Sequence, residues 1–557
     1  MSLPFDTSAE NAKLGEVRAK EEEDVANILS KKYGLQYTDL SMLPIDVDAL
    51  RLIPEEKARA SEAAAFDHAA KKVSVAIHNP HNETLPALEK DLAARGYQVT
   101  KFLVSKKSLE KAFSRYADLS FAAESRVGVF DISSKELSTF SKELNSIPAI
   151  RNFIAKTTAE KKSAEVSRLL EYILAGAFSL KVSDVHLEPE DGKIRLRFRL
   201  DGVLTDVAEF DAALYRLVDS RIKILSGMKL NVRDQAQDGR FSVALHGTEI
   251  EIRASLIPNA YGESFVMRIL DPNSIQVSLE TLGIHPKLLS RLLVEIQRPN
   301  GMLLTTGPTG SGKTTTLYSF LRKMQSPEIK VITVEDPIEY HLEGIVQTQV
   351  TEKKYTFASG LRSIVRQDPD VIMVGEIRDN ETASIAIQAA LTGHFVFSTL
   401  HTNNAAGTFP RFADLGIDPK EFASAITVSM AQRLVRRLKP ENRKQIPLTD
   451  KQKRMVERLL STVEDKSLLP TSIDRAWIPD TTSENDTGYH GRVGVYEAIF
   501  MDDELGAFLR DNPSEADIAK MARKQGNLTM AQDGVLKALA GETSLEEVFS
   551  TVDLPRD

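Results

Sequence analysis

The chain has 557 residues, enough at roughly 100 to 200 residues per domain for about three or four domains, each with its own core. Lys and Arg number 71 against 79 Asp and Glu, a formal net charge of −8 with 42% apolar and 27% charged residues, which excludes a disordered chain, a collagen-like chain and a wholly basic nucleic-acid binder. There is no cysteine, so disulfides, thiolate-held zinc, iron–sulfur clusters and cysteine nucleophiles are excluded as well.

No run approaches the roughly 18 consecutive apolar residues of a membrane span. The start, MSLPFDTSAENAKLGEVRAKEEED, is polar and acidic without the apolar core of a signal peptide, so a cytoplasmic chain is expected. Residues 1–20 read as a disordered leader. The acidic cluster Glu21 to Asp24 then opens an amphipathic helix carrying Val25, Ile28 and Leu29. The pieces LRLIPEEKARA, VSVAIHN, LPALEKDLAARG, YQVTKFLV and SLEKAFSRY follow, alternating strand and helix as a small α/β domain over 21–120. Residues 121–160, rich in Ser, Lys and Ala and without a clear strand, read as a linker. A second domain over 161–285 opens with the helix SRLLEYILAGAF. A β meander on that helix follows, with turns at Asp191-Gly192 and Asp201-Gly202, then a helix from about Asp211 to Leu225 and further strands GRFSVALHGTEIEIRASLIP and SFVMRIL.

From Gly301 the pattern becomes strand, glycine loop, helix, strand, the signature of a parallel α/β sheet over 286–557. Residues 301–316 read GMLLTTGPTGSGKTTT, containing GxxxxGK[ST] from Gly307 to Thr314. The loop Gly307, Pro308, Thr309, Gly310, Ser311, Gly312, with Lys313, Thr314 and Thr315 behind it, is the candidate nucleotide cradle. Its glycines let backbone N–H groups turn toward a β-phosphate, Lys313 reaches the β- and γ-phosphates, Thr314 can hold Mg²⁺, and the helix N-terminus adds its dipole. Hydrolysis also needs a water-orienting carboxylate and a second Mg²⁺ contact. Two strand ends offer them: VITVEDPIEY, ending in Glu335, Asp336 and Glu339, and DPDVIMVGEIRD, ending in Glu376. Strand C-termini of a parallel sheet share one ligand-facing edge. A third strand, GHFVFSTLHTNN, carries His394 before it and His401 after it, the latter where a γ-phosphate sensor would sit.

In order, GPTGSGKTTTLY, VEDPIEY, GLRSIVRQDPDVIMVGEIRD and LTGHFVFSTLHTNNA resemble the Walker A, Asp box, Walker B and His box of the bacterial secretion ATPases, which comprise type II secretion ATPases and type IV pilus motors. The resemblance implies a RecA-like P-loop core preceded by an α+β, PAS-like domain that closes over ATP, and a small N-terminal α/β adaptor domain. It implies phosphate and Mg²⁺ duty for Lys313 and Thr314, activation of the attacking water by Glu339, water-mediated Mg²⁺ coordination by Glu376, and sensing by His394 and His401. Arg253 and Arg268 match the family's two γ-phosphate arginines. Arg362, Arg366 and Arg492 match further arginines around the nucleotide and the subunit contacts. One departure is plain: family members of the assembly type carry two cysteine pairs that hold zinc, whereas here those stretches read RRLKPENRKQ and DTTSENDTGYHGR. The cofactors expected are ATP and Mg²⁺ without zinc, with an insert at about 439–487 held by packing and KQKRMVERLLSTV as its helix. The leader helix that binds cyclic dinucleotide in some relatives is not recognisable; only LGEVRAK appears.

The function so implied is a homo-hexameric motor, cytoplasmic and peripheral to the inner membrane, that assembles a type IV pilus or a type II secretion pseudopilus through a platform protein and a cytoplasmic-side adaptor. Alternatives are a pilus retraction motor, a DNA-uptake or other nucleic-acid translocating ATPase, and a non-hydrolysing scaffold. The nucleic-acid reading rests on Arg433 to Arg458, ten Lys or Arg against three acids. A solvated helix face is the blander source of that run, and no direct nucleic-acid partner is expected.

Overall fold

The computed structural model describes residues 22–554 apart from 42, 44, 51, 70, 119–122, 127–128, 132–142, 161–168, 246–247, 272–276, 352–353 and 482–486. The leader at 1–20 and LGEVRAK lie outside the described residues. The chain divides into two compact units, one of residues 1–200 and 204–269, the other of residues 201–203 and 270–557.

The first unit holds two sheets with separate cores. In its N-terminal part, four strands run in the spatial order Gln36–Tyr37, Gln98–Leu103, Lys72–Ile77, Ala63–Ala69, over a core that includes Leu50, Ile53, Val75, Leu92 and Leu109. The strand Ala63–Ala69 was not legible, because alanine is a weak strand signal and only burial against the neighbouring helices selects the extended form there. Helix 22–33 also differs from expectation. Val25, Ile28 and Leu29 face outward, while Ala26 and Ser30 are buried. Polar contacts decide this docking: the Glu23 carboxylate accepts from Ser105 Oγ (2.5 Å), Ser108 Oγ (2.7 Å) and the Tyr37 hydroxyl (2.7 Å).

Farther along, eight strands lie in the order Ala123–Arg126, Val129–Asp131, Gln237–Leu245, Thr248–Asn259, Gly262–Leu270, Asp184–Glu190, Lys193–Leu200, Val203–Phe210. The first two fall within the range read as a linker. Their short sequences AESR and VFD carry no strand pattern; Val129–Asp131 is extended by pairing with Gln237–Leu245, and Ala123–Arg126 by pairing with Val129–Asp131. Helix Ile147–Glu160 closes that range. The meander itself follows its alternation: Ile250, Ile252, Ala254 and Leu256 enter the core beneath helices Leu169–Ser179 and Ala212–Leu225, and the intervening residues line the open face.

This core encloses a charge cluster. Lys223 Nζ lies 2.6 and 2.7 Å from the two oxygens of Glu263 and 3.7 Å from Asp219, all three side chains buried. Burial raises the Asp219 carboxyl pKa. Lys223→Met strands two buried acids without their cation, so the full-length protein should lose about 3–5 kcal/mol in the unfolding transition of this unit. Urea melts of the single variant against Lys223→Met/Glu263→Gln check this, the double variant recovering part of the loss.

In the second unit seven strands lie in the order Val346–Gln349, Val331–Glu335, Val371–Val374, Phe395–Leu400, Gly301–Thr306, Ile426–Leu438, Tyr489–Phe500. The first six are parallel and the last antiparallel. The central strands are buried along their whole length because both faces are covered. Val371, Met373, Phe395 and Phe397 meet the helices Lys313–Met324 and Pro286–Glu295, while Ile372, Val374 and Val396 meet Phe357–Val365 and Asn380–Leu391.

The insert without cysteines is a two-stranded ribbon, Arg443–Pro447 against Arg475–Pro479, and the expected helix Asp450–Ser461. Val456, Leu459, Leu460, Val463 and Ala476 join the main core directly. The Arg443 guanidinium stacks 4.4 Å from the Trp477 ring centroid and donates to the Gly541 carbonyl, so packing is supplemented by a cation–π contact and a charge-assisted hydrogen bond.

Candidate nucleotide site

Register decides which residues share an edge. Val331 pairs with Val371, Val371 with Phe395, and Phe395 with Gly301, so these four strands end together. Thr306, Leu400, Val374 and Glu335 finish them, and the segments that follow carry the phosphate loop, His401, Glu376 and the Glu339 loop. His394 does not belong with them. It precedes Phe395 at the opposite edge, its Nδ1 3.0 Å from the Ala389 carbonyl, about 20 Å of strand from His401 at roughly 3.3 Å per residue. It therefore lies at the end of this strand opposite the phosphate loop and His401.

The phosphate loop is built around its glycines. Gly307 has φ 147°, and a Cβ there would lie 2.6 Å from the Gln432 carbonyl and 2.7 Å from Ser311 Oγ. Gly312, φ 87°, stands at the N-cap of helix Lys313–Met324 with no side chain to satisfy the first-turn amides, which leaves them for an anion. The buried Lys313 ammonium donates to the carbonyls of Gly307 (2.7 Å) and Pro308 (3.0 Å). Burial pushes its pKa down to about 8, Glu376 opposing and Arg433 adding to the shift. Folding therefore releases a proton from this group between about pH 8 and the ordinary 10.5. The full cost of the buried charge is present below pH 8 and is relieved as pH rises toward 10.5. A phosphate supplies the missing counter-charge. Ser311 Oγ is buried and finds no hydrogen-bond partner among the described residues, a polar atom left facing the cradle. This donor set fits a nucleotide phosphate, and Thr314, in the first helical turn, and Glu376, on the neighbouring strand ends, fit its Mg²⁺.

Glu376 is largely covered. Its carboxylate takes the Arg378 guanidinium on one oxygen, and His401 Nε2 lies 3.2 Å from the other. His401 is held from both sides, because Thr306 Oγ1 bonds the Leu400 carbonyl (3.2 Å) and Thr402 Oγ1 (2.6 Å). The histidine is thereby latched to the residue that opens the phosphate loop. Glu339 is half-buried in the loop after strand Val331–Glu335. Asp336, by contrast, is exposed, and Glu335 points inward.

Of the expected arginines, Arg253 and Arg268 project from the open face of the eight-stranded sheet, paired with Glu251 (2.9 Å) and Asp184 (3.1 Å). Arg362 pairs with Glu381, and Arg366 donates to the Arg362 carbonyl (2.8 Å). Arg492 is exposed and lies opposite Arg436 on the antiparallel edge strand. Two residues of the phosphate-loop surroundings were missed. Gln432 accepts from Thr316 (2.8 Å) and backs Gly307 and Gly312. Arg433 is buried beside Gly307, donating to the Asn403 carbonyl (2.9 Å). Both sit on strand Ile426–Leu438, next to the phosphate-loop strand. The basic run that Arg433 opens is no single helix face. Arg433 and Arg436 are on this strand, Arg443 is on the ribbon, and only the last part is helical.

Residues 159–550 match the family model described as type II/IV secretion system protein, and residues 33–123 match the MshEN domain. The type II secretion system protein E of Klebsiella pneumoniae is 39% identical over 452 residues, covering 80% of this chain and 87% of that protein. The type IV pilus assembly ATPase PilB of Myxococcus xanthus is 36% identical over 533 residues, 95% of this chain and 91% of that one. Among solved structures, the Yersinia pseudotuberculosis ATPase DotB covers 70% of this chain and 93% of its own at TM-score 0.50 and 20% identity, a likeness of fold. With a phosphate loop and carboxylate-tipped parallel strands inside the matched range, the chain belongs to the type II/IV secretion system protein family.

Proposed function

We propose that the protein is an ATP-hydrolysing hexameric motor, working at the cytoplasmic face of the inner membrane, that drives assembly of a type IV pilus or a type II secretion pseudopilus through a platform protein. The observation that carries this reading is the convergence of the phosphate loop, Glu376, His401 and the Glu339 segment on one edge of a parallel sheet. Lys313, Ser311 and the loop amides bind the phosphates. Glu339 orients and deprotonates the attacking water, and His401, through Glu376, responds to the γ-phosphate. Thr314 and Glu376 would hold magnesium, which would supply charge neutralisation at the phosphates. Arg253 and Arg268 close the preceding domain over the nucleotide, and that closure turns hydrolysis into rigid-body movement.

The nucleic-acid alternative loses its main support, because Arg433, Arg436 and Arg443 are each engaged within the fold. No helix among the described residues is long and apolar enough to cross a membrane. The test combines three measurements on the full chain: Mg²⁺-dependent phosphate release, solution mass with ATP analogue, and mass-spectrometric identification of what a tagged protein retains from membrane extract. Hydrolysis, a six-fold mass and a polytopic inner-membrane protein are expected. Phosphate release that only DNA stimulates would overturn the reading.

A further inference from the structure

The segment 336–342, which bears Glu339, has its backbone pinned by side chains from a neighbouring strand. Gln347, on the edge strand Val346–Gln349, clamps it twice, donating from Nε2 to the Tyr340 carbonyl (3.0 Å) and accepting at Oε1 from the Leu342 amide (2.7 Å). Gln349 Oε1 accepts from the Ile338 amide (3.3 Å). Gln347 Nε2 also lies 3.4 Å from the Tyr318 hydroxyl, and Tyr318 belongs to the helix that starts at Lys313.

Beneath these contacts lies Glu335, 2% exposed. Its carboxyl group accepts from Tyr318, from Thr333 Oγ1 (2.5 Å) and from Gln347 Nε2 (3.1 Å). The Tyr340 ring meets that of Tyr318 edge-on, centroids 4.7 Å apart. Burying a carboxyl group is costly, and an apolar side chain would fill the same space. What the polar arrangement adds is direction: each donor and acceptor has one orientation, and the chain of bonds runs from Tyr318 on the phosphate helix through Glu335 and Gln347 to the backbone on the far side of Glu339.

We propose that Tyr318, Glu335 and Gln347 are positioning residues that hold the Glu339 carboxylate in register with the phosphate loop. They touch neither nucleotide nor water and act through Glu339. The inference rests on Glu339 as the water-activating base. A catalytic group displaced by about 1 Å can lose roughly a hundredfold in rate, so loosening this clamp should lower turnover without weakening ATP binding.

Steady-state kinetics and nucleotide-analogue binding on the full chain test this with Tyr318→Phe, which keeps the ring and removes the hydroxyl, and Gln347→Ala, which cuts both backbone clamps from the edge strand. Each should lower kcat by about tenfold to a hundredfold with KM and analogue affinity within about threefold. Gln347→Asn, shorter by one methylene, should not rescue, whereas Gln347→Glu, which keeps one acceptor but faces Glu335, should be worse than Ala. In a Glu339→Gln background the residual single-turnover rate should fall no further on adding Tyr318→Phe or Gln347→Ala, because both act through the same group. Unchanged kcat in both variants, or the same fold-loss with and without Glu339→Gln, overturns the proposal. A Glu339→Gln protein with full turnover instead overturns the role of Glu339 itself. If Tyr318→Phe unfolds, Gln347→Ala at the sheet edge decides alone.

Discussion

Glu339→Gln is expected to bind ATP as tightly as the unaltered protein and to hydrolyse it about 10² to 10⁴ times more slowly. The amide keeps the shape of the side chain and its place in the pinned loop, but it cannot take a proton from water, and loss of a positioned general base has that magnitude. Lys313→Ala should fail earlier, at binding. The ammonium, held by the loop carbonyls of Gly307 and Pro308, is the charge expected to meet the phosphates, and a methyl group leaves the cradle with its amides and Ser311. Glu376→Ala should bind nucleotide and lose hydrolysis, since it removes both the proposed Mg²⁺ contact and the partner of His401. Analogue binding by fluorescence together with phosphate release separates the three. Wild-type turnover in Glu339→Gln assigns the base elsewhere.

Removing Arg253 or Arg268 should have the larger effect on rate, roughly the 10³ to 10⁵ of an arginine finger, with nucleotide affinity within a few-fold. A guanidinium fork suits the charge spread over a transferring γ-phosphoryl group. In the structure each arginine is held by a carboxylate of its own sheet, Glu251 or Asp184, so reaching a phosphate requires an exchange of partners. The Arg268 side chain is 58% exposed, and Arg199, 3.4 Å from Asp184, stays behind as a partner for that buried carboxylate when Arg268 leaves. Glu251→Gln and Asp184→Asn should therefore leave hydrolysis near the unaltered level, while Arg253→Ala and Arg268→Ala should nearly abolish it. Fluorophores on the eight-stranded-sheet domain and on the core should approach on analogue binding in the first pair and not in the second. Normal closure and hydrolysis in Arg253→Ala would make these ordinary strand arginines.

What the sequence determined by itself is the chemistry carried by short-range pattern. The phosphate loop needs glycines at fixed offsets between a strand and a helix, and Gly307 to Thr314 state all of that within eight residues. The apolar runs VIMV and FVFSTL, strands buried on both faces, and the alternating meander around Asp191-Gly192 and Asp201-Gly202 are local signals too, and each became the expected element. Other features depended on residues far apart in the chain. The strand at 129–131 exists through pairing with a strand some hundred residues onward and in turn pairs with 123–126, and Ala63–Ala69 is extended because its neighbours bury it. Helix 22–33 turns its apolar residues outward because three hydroxyls from elsewhere hold Glu23. Likewise, Arg433 reads as one more charge in a basic run until strand order sets it beside Gly307. Gln347 is an unremarkable polar residue in VQTQ until the parallel register brings it under the Glu339 loop. A motif specifies which groups can do chemistry; only the packed sheet, whose register is set by burial on both faces, decides which of them meet and which, like His394, are carried to the far edge.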